Sequence, residues 1–435
     1  MKKSVIALML LAVLVIIVSP GIIGKLAENS VDENLNWAAK ESGGLVVSSE
    51  GFDRGWFSSE GQHRVALGDG SIRAAMTKAD TNQIPALLIN THLDHGLIPV
   101  SSMAREGGSL VPGLGSAVST LAIERGDNET IALPGAIYSA IGLGGNLDSR
   151  YVLEAGSQAI DDGEVTWQAS TINFTSGAKT SHIEFNADIG AMTFGNDQQT
   201  VSIDGLTLVG KQAITPYGFY VGDLDMAMGS MTIDVGGTPV GGMQGLGVKA
   251  SSSVDDDLVA AAVRFEVNEQ TIPGFGDISV IADIGFDDLD AVALAAVSKQ
   301  LENLAGAPDA SRIMMAAEKE FKDLFAAGLK VGVDQFDVAL PMGTVEMKMT
   351  VAVPESDRTT FEWTTLLLAT VASADIRVPE ALVQFATSMN PQTGALIGMG
   401  FLKKEGDIYV MDANYEKGLL TVNGAPVPLP MGAFQ

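Results

Sequence analysis

Cysteine is absent from the 435 residues, which excludes disulfides, thiolate metal centres and thiol nucleophiles. Aromatic residues are scarce, at 6%, whereas glycine is abundant at 49 residues; that balance suits many turns and closely packed strands better than a long helical bundle. Basic residues are few, 26 against 53 acidic ones, giving a formal net charge of −27. Such a surface repels phosphate backbones and anionic headgroups, so nucleic acid is excluded as a partner class. Its plainest use is solubility, including in a salty habitat, with cation capture as the alternative. Apolar residues still make up 46%, enough for a substantial core and too many for global disorder.

Long hydrophobic runs are also missing, with one exception. Lys2 and Lys3 precede an unbroken apolar run from Val5 to Val18, which resumes with Ile22 and Ile23 after Ser19-Pro20-Gly21. At about 1.5 Å per residue, Val5 to Ile23 reaches roughly 28 Å as a helix, close to one hydrocarbon thickness. The lysines favour a cytoplasmic N-terminus. No A-x-A cleavage site follows; Ser19, Gly21 and Gly24 are the nearest small-residue substitutes, so the sequence predicts an uncleaved anchor over residues 1–23 rather than a removed signal peptide. In either case the body is exported. The spacing of Leu26, Val31, Leu35 and Ala38 predicts an exit helix over 24–44.

Strand signals then dominate. Val165, Trp167 and Ala169 alternate with polar neighbours, as do Ile183, Phe185, Ala187 and Ile189, then Val201 and Ile203, and then Met231, Ile233 and Val235. Period-two alternation punctuated by Gly, Asn and Asp predicts antiparallel strands with one buried face over 45–285. Two 3.6-period stripes follow over 286–330: Leu289, Val292, Ala296, Val297, Leu301 and Leu304, then Ile313, Ala317, Phe321 and Leu324. They predict an αα-hairpin. In 331–435, strands at Val331–Leu340 and Thr344–Val353 precede one helix that starts at Pro379, carries Leu382, Phe385 and Met389, and stops at Asn390-Pro391. Asp407–Asn414 and Gly418–Val422 make a closing hairpin. The predicted class is α+β: a transmembrane helix, then a large, mostly antiparallel β body with an αα-hairpin and one further C-terminal helix. Trp56, Trp167, Phe185 and Phe321 are the predicted large core anchors.

Motifs for chemistry are thin. There is no HExxH, no GxSxG, and no GKS or GKT after the glycines of 236–247, so no catalytic residue and no cofactor is assigned. His92, Asp94 and His95 are the one close set with metal-ligand chemistry, but on a strand residues three apart point to opposite faces, and convergence requires a turn at Gly96. Asp255-Asp256-Asp257 and Asp287-Asp288-Asp290 lack calcium-loop spacing, and the second sits where a helix N-terminus takes a capping oxygen.

Three stretches together resemble the YdgA-like bacterial family, domain of unknown function 945. They are Arg54-Gly55-Trp56-Phe57-Ser58-Ser59, then His95-Gly96 with Pro99 nearby, and the ending Gly418-Leu419-Leu420-Thr421-Val422-Asn423-Gly424. Leu97 departs from the family pattern, which usually has proline there. The resemblance implies an inner-membrane protein facing the periplasm and brings no catalytic residues with it. Arg54, Gly55, Trp56, His95 and Gly96 are the candidate motif it marks out.

Two functional readings follow: a non-enzymatic binding or assembly module of the envelope, or a carrier for a lipid or other apolar ligand. An envelope hydrolase is a third, without a motif behind it. The carrier reading rests on Leu224, Met226, Met228, Met231 and Ile233. Their apolar positions switch from even to odd across Gly229-Ser230, and a bulge or tight turn there would keep both sets on one face. Covered, that face is ordinary core. Open, it makes lipid binding the leading reading; an unbroken strand through Gly229 would defeat the one-face expectation in both versions.

Overall fold

The computed structural model describes residues 45–67, 86–96, 112–124, 130–160, 163–196, 198–303, 317–390 and 392–428. The predicted anchor and exit helix lie outside these residues, as do Leu97 and Pro99. No helix among the described residues is long and apolar enough to cross a membrane.

The described strands form one 24-stranded sheet in which every pairing is antiparallel. It begins with β1 (Leu45–Arg54), β2 (Ser58–Leu67), β3 (Ala86–His95) and β4 (Gly115–Glu124), with the short β5 (Thr130–Ala132) beside β4. Then come β6 (Ala136–Ile141), β7 (Leu147–Leu153), β8 (Gly156–Ile160), β9 (Gly163–Trp167), β10 (Ser170–Ser176), β11 (His182–Ile189) and β12 (Met192–Gly195). Five long strands follow: β13 (Gln199–Ile214), β14 (Tyr220–Val235), β15 (Thr238–Asp255), β16 (Leu258–Ile272) and β17 (Gly276–Asp290). After the helical hairpin come β18 (Leu329–Leu340), β19 (Gly343–Val353), β20 (Val371–Pro379), β21 (Lys403–Glu405), β22 (Ile408–Glu416), β23 (Leu419–Val422) and β24 (Ala425–Val427). Most neighbours in sequence are neighbours in space, because each hairpin turn returns the chain beside itself. β17 pairs directly with β18, so one sheet runs through the helical insertion.

The helices are α1 (Ala291–Asn303), α2 (Glu318–Ala326), α3 (Trp363–Ala369), α4 (Glu380–Met389) and α5 (Gln392–Gly398). α1 and α2 form the predicted hairpin around buried Ala293, Val297 and Leu324, with Leu289, Leu294 and Phe321 packed against them. The Ala293 N–H donates to Asp290 Oδ1 at 2.7 Å, the cap that the acidic cluster predicts. Val292 and Ala296, by contrast, are exposed, the buried positions of α1 being Ala291, Ala293 and Val297; Leu304 and Ile313 lie outside the described residues. The C-terminal region holds three helices where one was predicted; α3 and α5 have only seven residues each, too few to repeat a 3.6-residue pattern. In α4 the buried residue is Val383, and Phe385 and Met389 face solvent.

Fully buried apolar clusters among the described residues sit at two places. One is the helical hairpin; the other lies near the start of the sheet, where Leu93, Leu114, Ala117 and Ile141 meet. The long central strands carry no such cluster. The predicted core anchors need correction: Phe321 packs half-buried against the α1–α2 cluster, Trp56 is 55% exposed, and on the sheet Trp167 and Phe185 are half-buried rather than enclosed. Where no second layer packs on a sheet, in-plane neighbours alone shield a ring.

A second correction concerns Gly229-Ser230. β14 runs through it unbroken, with the same register on both sides, so neither the bulge nor the tight turn exists. The irregularity lies in its neighbours. Gly205 on β13 and Gly245 on β15 fall in the same row as Gly229, and both take left-handed backbone angles, φ +69° and +62°. The sheet also forks at this row: β13 pairs with β12 before Gly205 and with β11 after it. The phase-restoring bulge appears elsewhere, on β18 between Val333 and Phe336, where the apolar positions switch from odd to even.

Candidate functional site

The motif that singled out Arg54–Ser59 folds as the tip of the β1–β2 hairpin. The Gly55 N–H donates to the Ser58 carbonyl at 2.8 Å, a tight turn that projects Trp56 and the 50%-exposed Phe57 outward together. A turn, not a strand, decides their direction; alternation does not apply to it. Arg54 ends β1 opposite Ser59. β3 then lies beside β2, and the His95 N–H donates to the Phe57 carbonyl at 2.9 Å. Gly96, at φ +128°, donates its N–H to the Leu114 carbonyl.

β3 stays extended through His95 and so splits the candidate metal set. His92 and Asp94 share a face with Glu60, their side chains 3.4 Å apart, His92 Nδ1 lying 3.4 Å from Glu60 Oε1. His95 lies on the other face, its Nε2 3.0 Å from Ser59 Oγ. Among the described residues no three metal-ligating side chains converge. Ser59 and His95 are 2% and 1% exposed and form a buried polar clasp between β2 and β3.

The central strands present a different arrangement. Cross-strand partners lie on one face of a sheet, and so do residues two apart on a strand. One row reads Phe185, Gly210, Leu224, Ala250, Val263 and Ile284 from β11 to β17. The next reads Ala187, Leu208, Met226, Val248, Phe265 and Ala282, and the third Ile189, Leu206, Met228, Leu246, Val267 and Val280. The first two extend through Val333 and Phe336 on β18 and Met349 and Met347 on β19 to Ala413 and Met411 on β22. They also reach Phe174 and Ile172 on β10. No charged residue interrupts them. Gly210 is required by close approach: a Cβ there would lie 2.2 Å from Phe185 Cζ, so the ring lies across the glycine.

On this face Val263, Phe265 and Ile284 are exposed, Leu206, Leu208, Leu224, Met226 and Met228 are half-buried, and Ala187, Val267, Ala282 and Val333 are buried. With strands about 4.8 Å apart and about 6.8 Å per two residues, the first two rows span roughly 50 Å by 14 Å and the third adds roughly 29 Å by 7 Å, about 900 Å² of sheet in all. Met231 and Ile233 lie beyond the glycine row, Met231 between Ile203 and Met243 and Ile233 between Val201 and Gly241. The area above does not include them.

The opposite side is polar. Cross-strand ion pairs join Lys249 to Asp225 at 3.3 Å, Arg264 to Asp283 at 2.7 Å and Lys211 to Glu184 at 2.7 Å. The hydrogen bond from Lys211 holds the Glu184 carboxyl below its ordinary range. A groove of about 550 Å³ runs along these side chains, deepened by Ser251, Ala262 and Gly285. Its cations Lys211, Lys249 and Arg264 are each matched by a carboxylate, and Asp223 and Asp334 also line it.

The family of bacterial proteins of unknown function DUF945 matches over residues 1–430. No curated protein matches the chain, and no solved structure does.

Proposed function

This chain belongs to the DUF945 family of bacterial proteins of unknown function, and from that premise we propose that its body binds the acyl chains of a lipid, or a similarly elongated apolar ligand, on the open face of its sheet. The observation that carries the proposal is the set of uninterrupted apolar rows, in which Val263, Phe265 and Ile284 are exposed. Covering even 300 Å² of such a face is worth about 7 kcal/mol before the costs of ordering the ligand. Half-buried Met226 and Met228, flexible and polarisable, suit a ligand of variable shape.

The same reading makes the protein a non-enzymatic component of the cell envelope. Lys2, Lys3 and the apolar run Val5–Val18 support a single membrane anchor with the body on the periplasmic side. The anchor would keep an apolar-ligand binder beside the bilayer that supplies its cargo. One feature favours a second role in assembly with another envelope protein: the paired aromatics Trp56 and Phe57 at a hairpin tip, the residue types that interface cores favour.

Native mass spectrometry of the full chain extracted in detergent tests the proposal. The expected result is a retained lipid mass that is lost in Met226→Asp, on the apolar face, and kept in Thr207→Asp, on the polar face. Retention by both variants, or no retained mass in the unmodified protein, overturns it.

A further inference from the structure

Residues 381 to 402 hold no charged side chain, in a chain whose net charge is −27. They supply most of α4 and all of α5, a helical pair tied to the sheet at both ends. At the start of α4 the Glu380 N–H donates to the Asp407 carbonyl at 2.9 Å, and the Glu380 carboxylate pairs with Lys404 at 2.5 Å. Beyond α5, Asn423 donates to the Gly400 carbonyl at 2.9 Å. Lys403 is matched by Glu405 at 2.9 Å, so both lysines that follow the uncharged stretch are paired. Each helix exposes an apolar stripe at helical spacing: Phe385 and Met389 on α4, and Leu396 on α5 with Met399 just after it. Met389 is 73% exposed and Met399 60%, the extremes for large apolar side chains among the described residues of this region. The two hydroxyls of α4 are turned onto its own backbone, Thr387 donating to the Val383 carbonyl at 2.8 Å and Ser388 to the Phe385 carbonyl at 2.6 Å.

These features select one kind of partner. Hydrocarbon excludes charge and leaves no water to satisfy a hydroxyl, so side chains that enter it are apolar or bonded to their own helix. Taking about 200 Å² for a large apolar side chain, the four exposed residues present roughly 400 Å² to solvent. A stable protein partner needs about 800 Å² on each side, whereas a bilayer takes up a short helix through its apolar side alone. We infer that the α4–α5 pair docks into the headgroup–hydrocarbon boundary of a phospholipid bilayer. It does not cross: α4, at 10 residues, is about 15 Å long, half the thickness of the hydrocarbon core. α4 continues directly from β20, where Ile376 stands between Met347 and Met411 in the second apolar row, so docking brings that end of the rows to the membrane surface. The inference does not rest on ligand binding by those rows.

Because the chain lacks cysteine, a single introduced one takes a label without competition. Met389→Cys, Met399→Cys and, on the polar side of the sheet, Thr207→Cys are each made in the full chain and labelled with an environment-sensitive fluorophore. Each is reconstituted into phosphatidylcholine vesicles that contain phosphatidylcholine spin-labelled midway along an acyl chain. The inference expects quenching at 389 and at 399 to exceed that at 207 by about threefold or more, with emission shifted to the blue. Phe385→Asp, at an exposed position, should bring quenching at 389 down to the level at 207 while circular dichroism stays that of the folded protein. Attachment through residues 1–23 alone would leave the three sites alike. Quenching at 389 or at 399 no stronger than at 207 overturns the inference. So does a blue shift that follows protein concentration and is indifferent to the spin-labelled lipid, which would make a second copy of the chain the occupant.

Discussion

Truncating Phe265 to alanine separates an open sheet face from a conventional core. The ring lies in the second apolar row between Val248 and Ala282 and is 37% exposed. A fully enclosed phenylalanine buries about 150–250 Å², so a ring shielded to about 60% removes about 120 Å² from water, or about 3 kcal/mol. Alanine retains roughly a third of that, leaving a loss of about 2 kcal/mol. No cavity term is added, because water reaches the vacated space; enclosed sites, which carry that term, lose about 3–5 kcal/mol. Urea denaturation of the wild type and Phe265→Ala, followed by circular dichroism, gives the difference directly. Phe265→Asp sharpens the contrast, since a carboxylate on an open face stays hydrated and the protein still folds. A loss above about 4 kcal/mol in Phe265→Ala, or failure of Phe265→Asp to fold, would mean that another layer covers the face.

Leu324→Ala, inside the α1–α2 cluster, should cost about 2–5 kcal/mol in the same assay, more than Phe265→Ala despite the smaller side chain removed. Gly210→Ala places a methyl group 2.2 Å from Phe185 Cζ and should destabilise by about 1–3 kcal/mol through displacement of the ring; Phe185→Leu in the same background should recover part of the loss. Hydrogen bonds from Lys322, first, and from Trp363 hold the Glu318 carboxyl below its ordinary pKa. Its stabilisation is therefore present above the ordinary glutamate pKa, about 4.3, and lost as pH falls through the lower folded-state value. Thermal melts from pH 6 to pH 3 should show this acid-side loss in the wild type and a smaller one in Glu318→Gln.

Much of the fold is legible in the sequence, and the failures share a cause. The alternation Ile183, Phe185, Ala187, Ile189 reports β11 because one face of the sheet is apolar whether or not anything covers it. The α1–α2 hairpin and the cap at Asp290 are legible because their signals are local. Burial of Trp56 and Phe385 is misread because it depends on a second layer, and alternation carries no information about what lies above a face. The parity switch at Gly229 is a real pattern, repeated at Gly205 between Ile203 and Leu206 and at Gly245 between Met243 and Leu246. Read on one strand alone it suggests a bulge; read across three strands it marks the row where the sheet forks. The β18 bulge has the same signature, Val331 and Val333 against Phe336 and Val338, and was open to the same reasoning. Of the candidate site, Leu224, Met226 and Met228 belong to the open face. The rest of it, Phe265 and Val248 included, needs the strand register, which no single segment encodes.

Photocrosslinking measures the central claim most directly. A diazirine-bearing fatty acid is incubated with the full-length protein and irradiated, and the modified residues are mapped by mass spectrometry. The account predicts modification along the apolar rows, at Met226, Val248, Phe265 and Phe336, and little on the opposite side at Thr207, Lys249 or Asp283. Equal labelling of the two sides, or labelling confined to residues outside these rows, would contradict it.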